Sequence, residues 1–193
     1  METSRFSFAQ TPLKGVWQVN RKPIRDERGF FTRFYCEDEF SAIGLQGVPT
    51  QINHSWSDLQ GTVRGMHFQY APNAESKIVT CLHGEVFDVA VDLRAASPTF
   101  LNWFGVTLSA ESQNSLVIPP GVAHGFQTLT PEAEVFYLVT TQYSPEHEGG
   151  LNPFDPMINI AWPVPVSEVS ARDRQRPFLE GKFAGVDMAG ASL

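Results

Sequence analysis

Ten short runs of strand-forming residues, each closed by turn residues, leave this chain little choice but a β-sheet fold. The runs are 15–19, 30–34, 50–57, 62–69, 77–82, 85–93, 102–108, 115–118, 125–129 and 134–141. They draw on Val, Ile, Phe, Tyr and Thr, whose branched or flat side chains pack well on a pleated surface. Tight connections such as Asp58-Leu59-Gln60-Gly61 and His83-Gly84 fall between them. The clearest run is Glu85-Val86-Phe87-Asp88-Val89-Ala90-Val91-Asp92-Leu93. It does not alternate simply, which predicts a strand buried on both faces for part of its length. Helix signals are scarce. Residues 37–42 followed by Gly44 read as a short helix with a glycine stop, and a second is expected within 166–173. Many short strands at fairly even spacing predict an all-β antiparallel sandwich or barrel. No repeat, low-complexity tract or linker divides the sequence, so a single domain over 1–193 is expected.

Composition removes several function classes. Hydrophobic residues at 42% and charged residues at 18% mark a globular chain rather than a disordered one. A net charge of −7 argues against a nucleic-acid partner, because phosphate contacts along a duplex need a basic stripe. It does not exclude a small anionic ligand, which responds to local arginines. Cys36 and Cys81 show no CxxC spacing and are expected as unpaired thiols. The stretch Met1-Glu2-Thr3-Ser4-Arg5-Phe6 lacks a basic segment leading into an apolar one, so no signal peptide is read. No apolar run approaches the roughly 20 residues of a membrane helix. A cytoplasmic protein with no membrane partner is the expectation.

Two segments stand out from this background. One is Gly61-Thr62-Val63-Arg64-Gly65-Met66-His67-Phe68-Gln69; the other is Ile118-Pro119-Pro120-Gly121-Val122-Ala123-His124-Gly125-Phe126. In a regular strand Arg64, Met66 and Phe68 share one face, and Val63, Gly65, His67 and Gln69 the other. A bulge near Gly65 breaks that parity and brings Arg64 and His67 to one cavity. Pro-Pro-Gly ahead of His124 is a rigid turn that sets the angle of the next strand. The pair of segments resembles the two motifs of the cupin superfamily, small jelly-roll barrels with an internal pocket. Metal-binding cupins carry a second histidine where this chain has Gln69, so the usual three-histidine set is incomplete and no metal site is assigned.

Within the cupins, the sequence resembles the dTDP-4-dehydrorhamnose 3,5-epimerase family from about Gly15 to Leu179. The matching segments include Asp26-Glu27-Arg28-Gly29-Phe30-Phe31, Gln51-Ile52-Asn53-His54-Ser55, Arg64-Gly65-Met66-His67-Phe68-Gln69 and Gly84 through Arg94. Ser97-Pro98-Thr99, Ile118 through Phe126, Glu134-Val135-Phe136-Tyr137 and Ile160-Ala161-Trp162-Pro163 continue the series in order. The resemblance implies a cofactor-free isomerase that inverts C3 and C5 of a nucleoside-diphosphate 4-keto-6-deoxyhexose. Such chemistry needs a base on one face of the sugar, a charge partner for the enolate oxygen and an acid on the other face.

By that resemblance His67 is the base and Asp173 the carboxylate that orients it; a histidine with an ordinary pKa of about 6.5 accepts and returns protons near neutrality. Lys77 faces the C4 oxygen, and Tyr137 is the acid, since a phenol is normally protonated at neutral pH. Arg28, Arg64 and Arg172 are implied as diphosphate anchors, Gln51 and Asn53 as readers of base or sugar edges, with His124 and Glu148 completing the set. A homodimer whose N-terminal strands cross to the partner is also implied. The sequence departs from the family at Arg33, where glutamate is usual, at Leu138, where lysine is common, and at Asn152-Pro153-Phe154; these departures are read as touching the pocket rim. Three alternatives stay open: an epimerase acting at one carbon, a metal-dependent cupin enzyme, and a non-catalytic sugar-binding cupin.

Overall fold

The structure, a computed structural model, describes residues 1–45, 47–181 and 183–189. Among the described residues, fourteen strands and two short α-helices follow one another along the chain. The strands are β1 (Phe6–Gln10), β2 (Trp17–Arg21), β3 (Ile24–Asp26), β4 (Gly29–Phe31), β5 (Gln51–Ser57), β6 (Thr62–Gln69) and β7 (Lys77–His83). They continue with β8 (Glu85–Asp92), β9 (Trp103–Ser109), β10 (Asn114–Ile118), β11 (Val122–Thr128), β12 (Ala133–Val139), β13 (Glu148–Gly150) and β14 (Glu168–Val169). The helices are α1 (Glu37–Ser41) and α2 (Ala171–Arg174).

Two sheets face each other. The first runs β1-β2-β10-β7-β12-β5, and the second β13-β6-β11-β8-β9 with β14 added beside β6. Every pairing within them is antiparallel except that of β14 with β6. This is the all-β sandwich expected from the spacing of the runs, with the strand order of a jelly roll rather than a meander. The run 30–34 resolves into the smaller hairpin β3–β4, and β1 is a strand that the sequence reading passed over.

Period-two alternation explains where the core sits. Between the sheets lie Val79 and Cys81 of β7, Val86 and Ala90 of β8, Val122 and Phe126 of β11, and Ala133 and Val135 of β12. The alternate residues face outward but are covered too. Phe6, Phe8, Phe40 and Ile43 lie over Ile78, Val117 and Leu138 on the first sheet. Leu151, Ile158, Trp162 and Phe183 lie over Met66, Phe68, Val89 and Val91 on the second. Strand β8 is therefore buried on both faces, as its lack of alternation predicts. The outer face of β5 is left bare, with Ile52 and Trp56 exposed.

Candidate active site

The same alternation that fills the core with apolar side chains turns polar at one end of the sandwich. On the inward face of β7 the series Cys81, Val79 ends in Lys77; on β12, Ala133, Val135 is followed by Tyr137. On β11 His124 stands between Val122 and Phe126. Opposite it on β6 is His67, its direct cross-strand partner. The pairing then slips: His124 faces His67, but Phe126 faces Arg64, so β6 spends one residue more than β11 over this stretch. That is the bulge expected near Gly65, and through it Arg64 and His67 line one cleft. No Cβ is tolerated there, because one placed on Gly65 meets the Cα of Gly125 at 2.6 Å and the His124 carbonyl at 2.8 Å.

The cleft has two adjoining lobes of about 520 and 440 Å³ that share His67, Lys77 and Tyr137. The first is completed by Arg64, His124, Arg172 and Asp173, the second by Gln51, Asn53, Tyr143 and Glu148. Volumes of this size suit a small organic ligand. All the residues picked out from sequence thus converge except Arg28. Its side chain is 83% exposed at the β3–β4 turn and is bonded to Asp26, away from the cleft of its own chain.

His67 Nε2 lies 2.7 Å from Asp173 Oδ1. Asp173 arrives on α2, whose N-cap Ser170 accepts a hydrogen bond from the Asp173 amide, and the Gly65 amide donates to its other oxygen at 3.3 Å. Burial is the largest influence on this carboxyl and opposes its ionisation, but the hydrogen bonds and charge of its neighbours, His67 foremost, outweigh it and hold the pKa below the usual range. An ionised Asp173 accepts the proton on Nε2, which leaves the other ring nitrogen of a neutral His67 with its lone pair.

His124 has a carboxylate of its own. Its Nε2 lies 2.7 Å from Oδ1 of Asp88, a residue with no solvent exposure and no partner for Oδ2. Burial drives the Asp88 pKa up, against the pull of His124 and Lys77. The sequence assigns His124 to the site but leaves Asp88 as a strand residue. The signal was present, a lone carboxylate within the apolar run of β8. Glu75 and Tyr143 were likewise not singled out; they lie in turn-rich segments with no period to mark them.

The remaining side chains are tied down in pairs. Lys77 Nζ lies 3.1 Å from Glu75 Oε1 and donates to the His67 carbonyl at 3.4 Å. Gln51 Nε2 donates to Asn53 Oδ1 at 2.8 Å, both on the inward face of β5. Glu148 accepts from the Tyr143 hydroxyl at 2.6 Å and is paired with Arg172 and with Arg176. For the Tyr137 phenol, burial comes first and the negative charge of Glu75 second, both raising its pKa against the opposing effect of Arg64. Gln69 is engaged by the backbone of Asn73, Gln142 and Ser144 and by Glu75. Among the described residues no three His, Cys, Asp or Glu side chains converge on a metal-binding position.

The departures at 138 and 152–154 do not reach the rim. Leu138 is buried in the cluster outside the first sheet, and the Asn152 amide holds the carbonyls of Arg174 and Arg176, anchoring the segment that follows α2. Arg33 pairs with Glu39 at 3.0 Å, outside the two lobes. A family model described as dTDP-4-dehydrorhamnose 3,5-epimerase matches residues 10–181. The chain belongs to that family. It is 46% identical over 173 residues to the dTDP-4-dehydrorhamnose 3,5-epimerase of Salmonella typhimurium, covering 89% of this chain and 94% of that one. It is 39% identical to the dTDP-4-dehydrorhamnose 3-epimerase of Streptomyces niveus, over 90% and 84% of the two chains. A crystal structure of the Legionella pneumophila 3,5-epimerase in complex with dTDP-4-keto-L-rhamnose superposes with a TM-score of 0.84 at 36% identity, covering 90% of this chain and 92% of that one.

Proposed function

We propose that the chain is an isomerase that epimerises a dTDP-4-keto-6-deoxyhexose at C3 and C5, with His67 as base, Tyr137 as acid and Lys77 facing the C4 oxygen. The observation that carries this reading is that His67 is held by Asp173 on one sheet while Tyr137 and Lys77 project from the other. A sugar ring lying between the sheets meets a base on one face and an acid on the opposite face, the arrangement inversion requires. The free nitrogen of His67 takes the hydrogen beside the ketone. The resulting enolate places its charge on O4 near the Lys77 ammonium, and Asp173 stabilises the imidazolium. The Tyr137 phenol returns a proton from the far side. Atoms and charge balance without an oxidant or reductant, so the step calls for no redox cofactor.

Arg64 and Arg172 flank the same lobe and suit diphosphate oxygens through paired hydrogen bonds. Gln51, Asn53 and Glu148 line the other lobe and suit the base or sugar edges. His124 lies beside His67, within reach of the sugar. Arg28 acts, on this reading, in the partner's cleft of a homodimer with crossed N-terminal strands. In support, the β3–β4 hairpin that carries Arg28 exposes Ile24, Phe30 and Phe31, a patch that burial against a second copy stabilises. The chain works as one domain and in the cytoplasm. Its two cysteines are free thiols, which suits a reducing compartment, and among the described residues no helix is long and apolar enough to cross a membrane.

The similarity to a 3-epimerase gives a second reading, inversion at C3 alone. Incubation of the protein with dTDP-4-keto-6-deoxyglucose in deuterated water separates the two. Deuterium at C3 and C5 is the expected result; deuterium at C3 only selects the second reading, and no uptake removes both.

A further inference from the structure

We infer that Glu75 is a positioning residue for the epimerisation: it fixes the Lys77 ammonium against the His67 strand and sets a negative charge beside the Tyr137 phenol. The inference rests on the epimerase reading of the cleft. Glu75 lies in the loop before β7, and its side chain and that of Lys77 are each 9% exposed. One oxygen, Oε1, is 3.1 Å from Lys77 Nζ, and the other accepts from Gln69 Nε2 at 3.1 Å. Gln69 is itself immobilised, donating to the carbonyl of Asn73 and accepting from the Ser144 amide at 2.7 Å. The carboxylate is thus anchored to backbone on one side and grips the ammonium on the other. A lysine needs such a grip, because its charge rides on a flexible four-carbon stem. A buried ion pair contributes little net stability after desolvation, so its retention inside a ligand cleft points to a role in the chemistry.

The charge also matters to the acid. From β6 and β11, Arg64, His67 and His124 face the lobes that Tyr137 lines; from β7 comes Lys77, and from the loop before it Glu75. The C-terminal segments add Tyr143, Glu148, Glu168, Arg172 and Asp173. Asp173 is tied to His67, and Glu148 to Arg172 and Arg176. Among these charges, that of Glu75 acts most strongly to keep the phenol protonated, second only to burial itself. Removing it makes the phenol easier to ionise and weakens its hold on the proton that the far face of the sugar must receive.

Glu75→Gln keeps the shape, and its amide oxygen can still accept from Gln69, while the charge is lost. With dTDP-4-keto-6-deoxyglucose and the full chain, kcat is expected to fall about tenfold with KM within about threefold, and the alkaline limb of kcat to move to lower pH. A kcat and a limb equal to those of the unmodified protein overturn the inference. So does a loss confined to KM, which marks a substrate contact instead. Thermal melting followed by circular dichroism checks the fold. Should the glutamine variant fail to fold, Glu75→Asp carries the test: it retains the charge, so its alkaline limb stays in place, and a displaced limb overturns the role. Absence of deuterium exchange in the unmodified chain would instead remove the epimerase reading, which keeps the two failures distinct.

Discussion

His67 with Asp173 and His124 with Asp88 are two imidazole–carboxylate pairs that share a length, 2.7 Å, and a cross-strand register, yet differ in nearly everything that decides chemistry. The His67 side chain is 37% exposed to the cleft, and its carboxylate receives help from the Gly65 amide. The His124 side chain is 9% exposed, and Asp88 has one oxygen with no partner. Asp173 is held below the ordinary carboxylate range and Asp88 is pushed above it. Distance alone does not distinguish the two pairs. What separates them is access to the ligand and the number of donors that favour the carboxylate as an anion.

The largest expected consequence is kinetic. His67→Asn removes the proposed base and is expected to lower proton exchange into the substrate by about 10²–10⁴, the usual contribution of a positioned general base, with the fold intact by circular dichroism. His124→Asn is expected to act mainly on KM, since the ring lines the cleft but is turned toward a deeply buried acid. Equal losses of kcat in the two variants would erase the distinction between the two pairs. Solvent-exchange rates measured at saturating substrate give the comparison directly.

Next in size is the bulge that sets the two rings side by side. Gly65 has φ of +123°, and an added Cβ collides with backbone of β11 rather than with a side chain that can swing away. Gly65→Ala is expected to destabilise the protein by about 1–3 kcal/mol, the scale of overpacking in a close-packed interior, on top of its unfavourable φ. Urea unfolding reads the loss. A variant as stable as the parent would mean that β6 can shed the bulge, and the shared cleft of Arg64 and His67 would need another cause.

Much of this arrangement was legible in the sequence, because strand alternation is a local property. The ambiguous alternation of β8 foretold burial on both faces, and Gly65 between Arg64 and Met66 marked the bulge. What escaped depends on distant partners. Strand β1 has only Phe6 and Phe8 to show its buried side, and it exists through its pairing with β2. Strand β14 is two residues long and joins β6 across more than a hundred positions. Arg28 is expected from the resemblance as a diphosphate anchor, yet it sits at the β3–β4 turn away from its own chain's cleft, a placement that follows from the hairpin geometry and not from its neighbours in sequence. Leu138 shows the reverse case: its residue number adjoins Tyr137, but alternation sends it to the other side of the sheet.

The smallest effect is also the sharpest test of the contrast between the pairs, because its sign differs. An unfolded aspartate titrates near pH 3.9. Asp173 has a lower pKa in the folded state, so its stabilisation is fully present above about pH 3.9 and is lost as pH falls through the folded value. Asp88 has a raised pKa, so the native state keeps its proton after the unfolded chain has released it. Its contribution therefore declines as pH rises from about 3.9 through the folded value. Melting curves of the parent, Asp173→Asn and Asp88→Asn between about pH 3 and 7 should diverge accordingly, at roughly 2–4 °C of Tm per kcal/mol for a chain of this size. The deficit of Asp173→Asn widens toward neutrality, while that of Asp88→Asn narrows. Two deficits that change in the same direction with pH would show that both carboxylates ionise alike on folding, and the distinction between a poised base and a buried anchor would then have to rest on exposure alone.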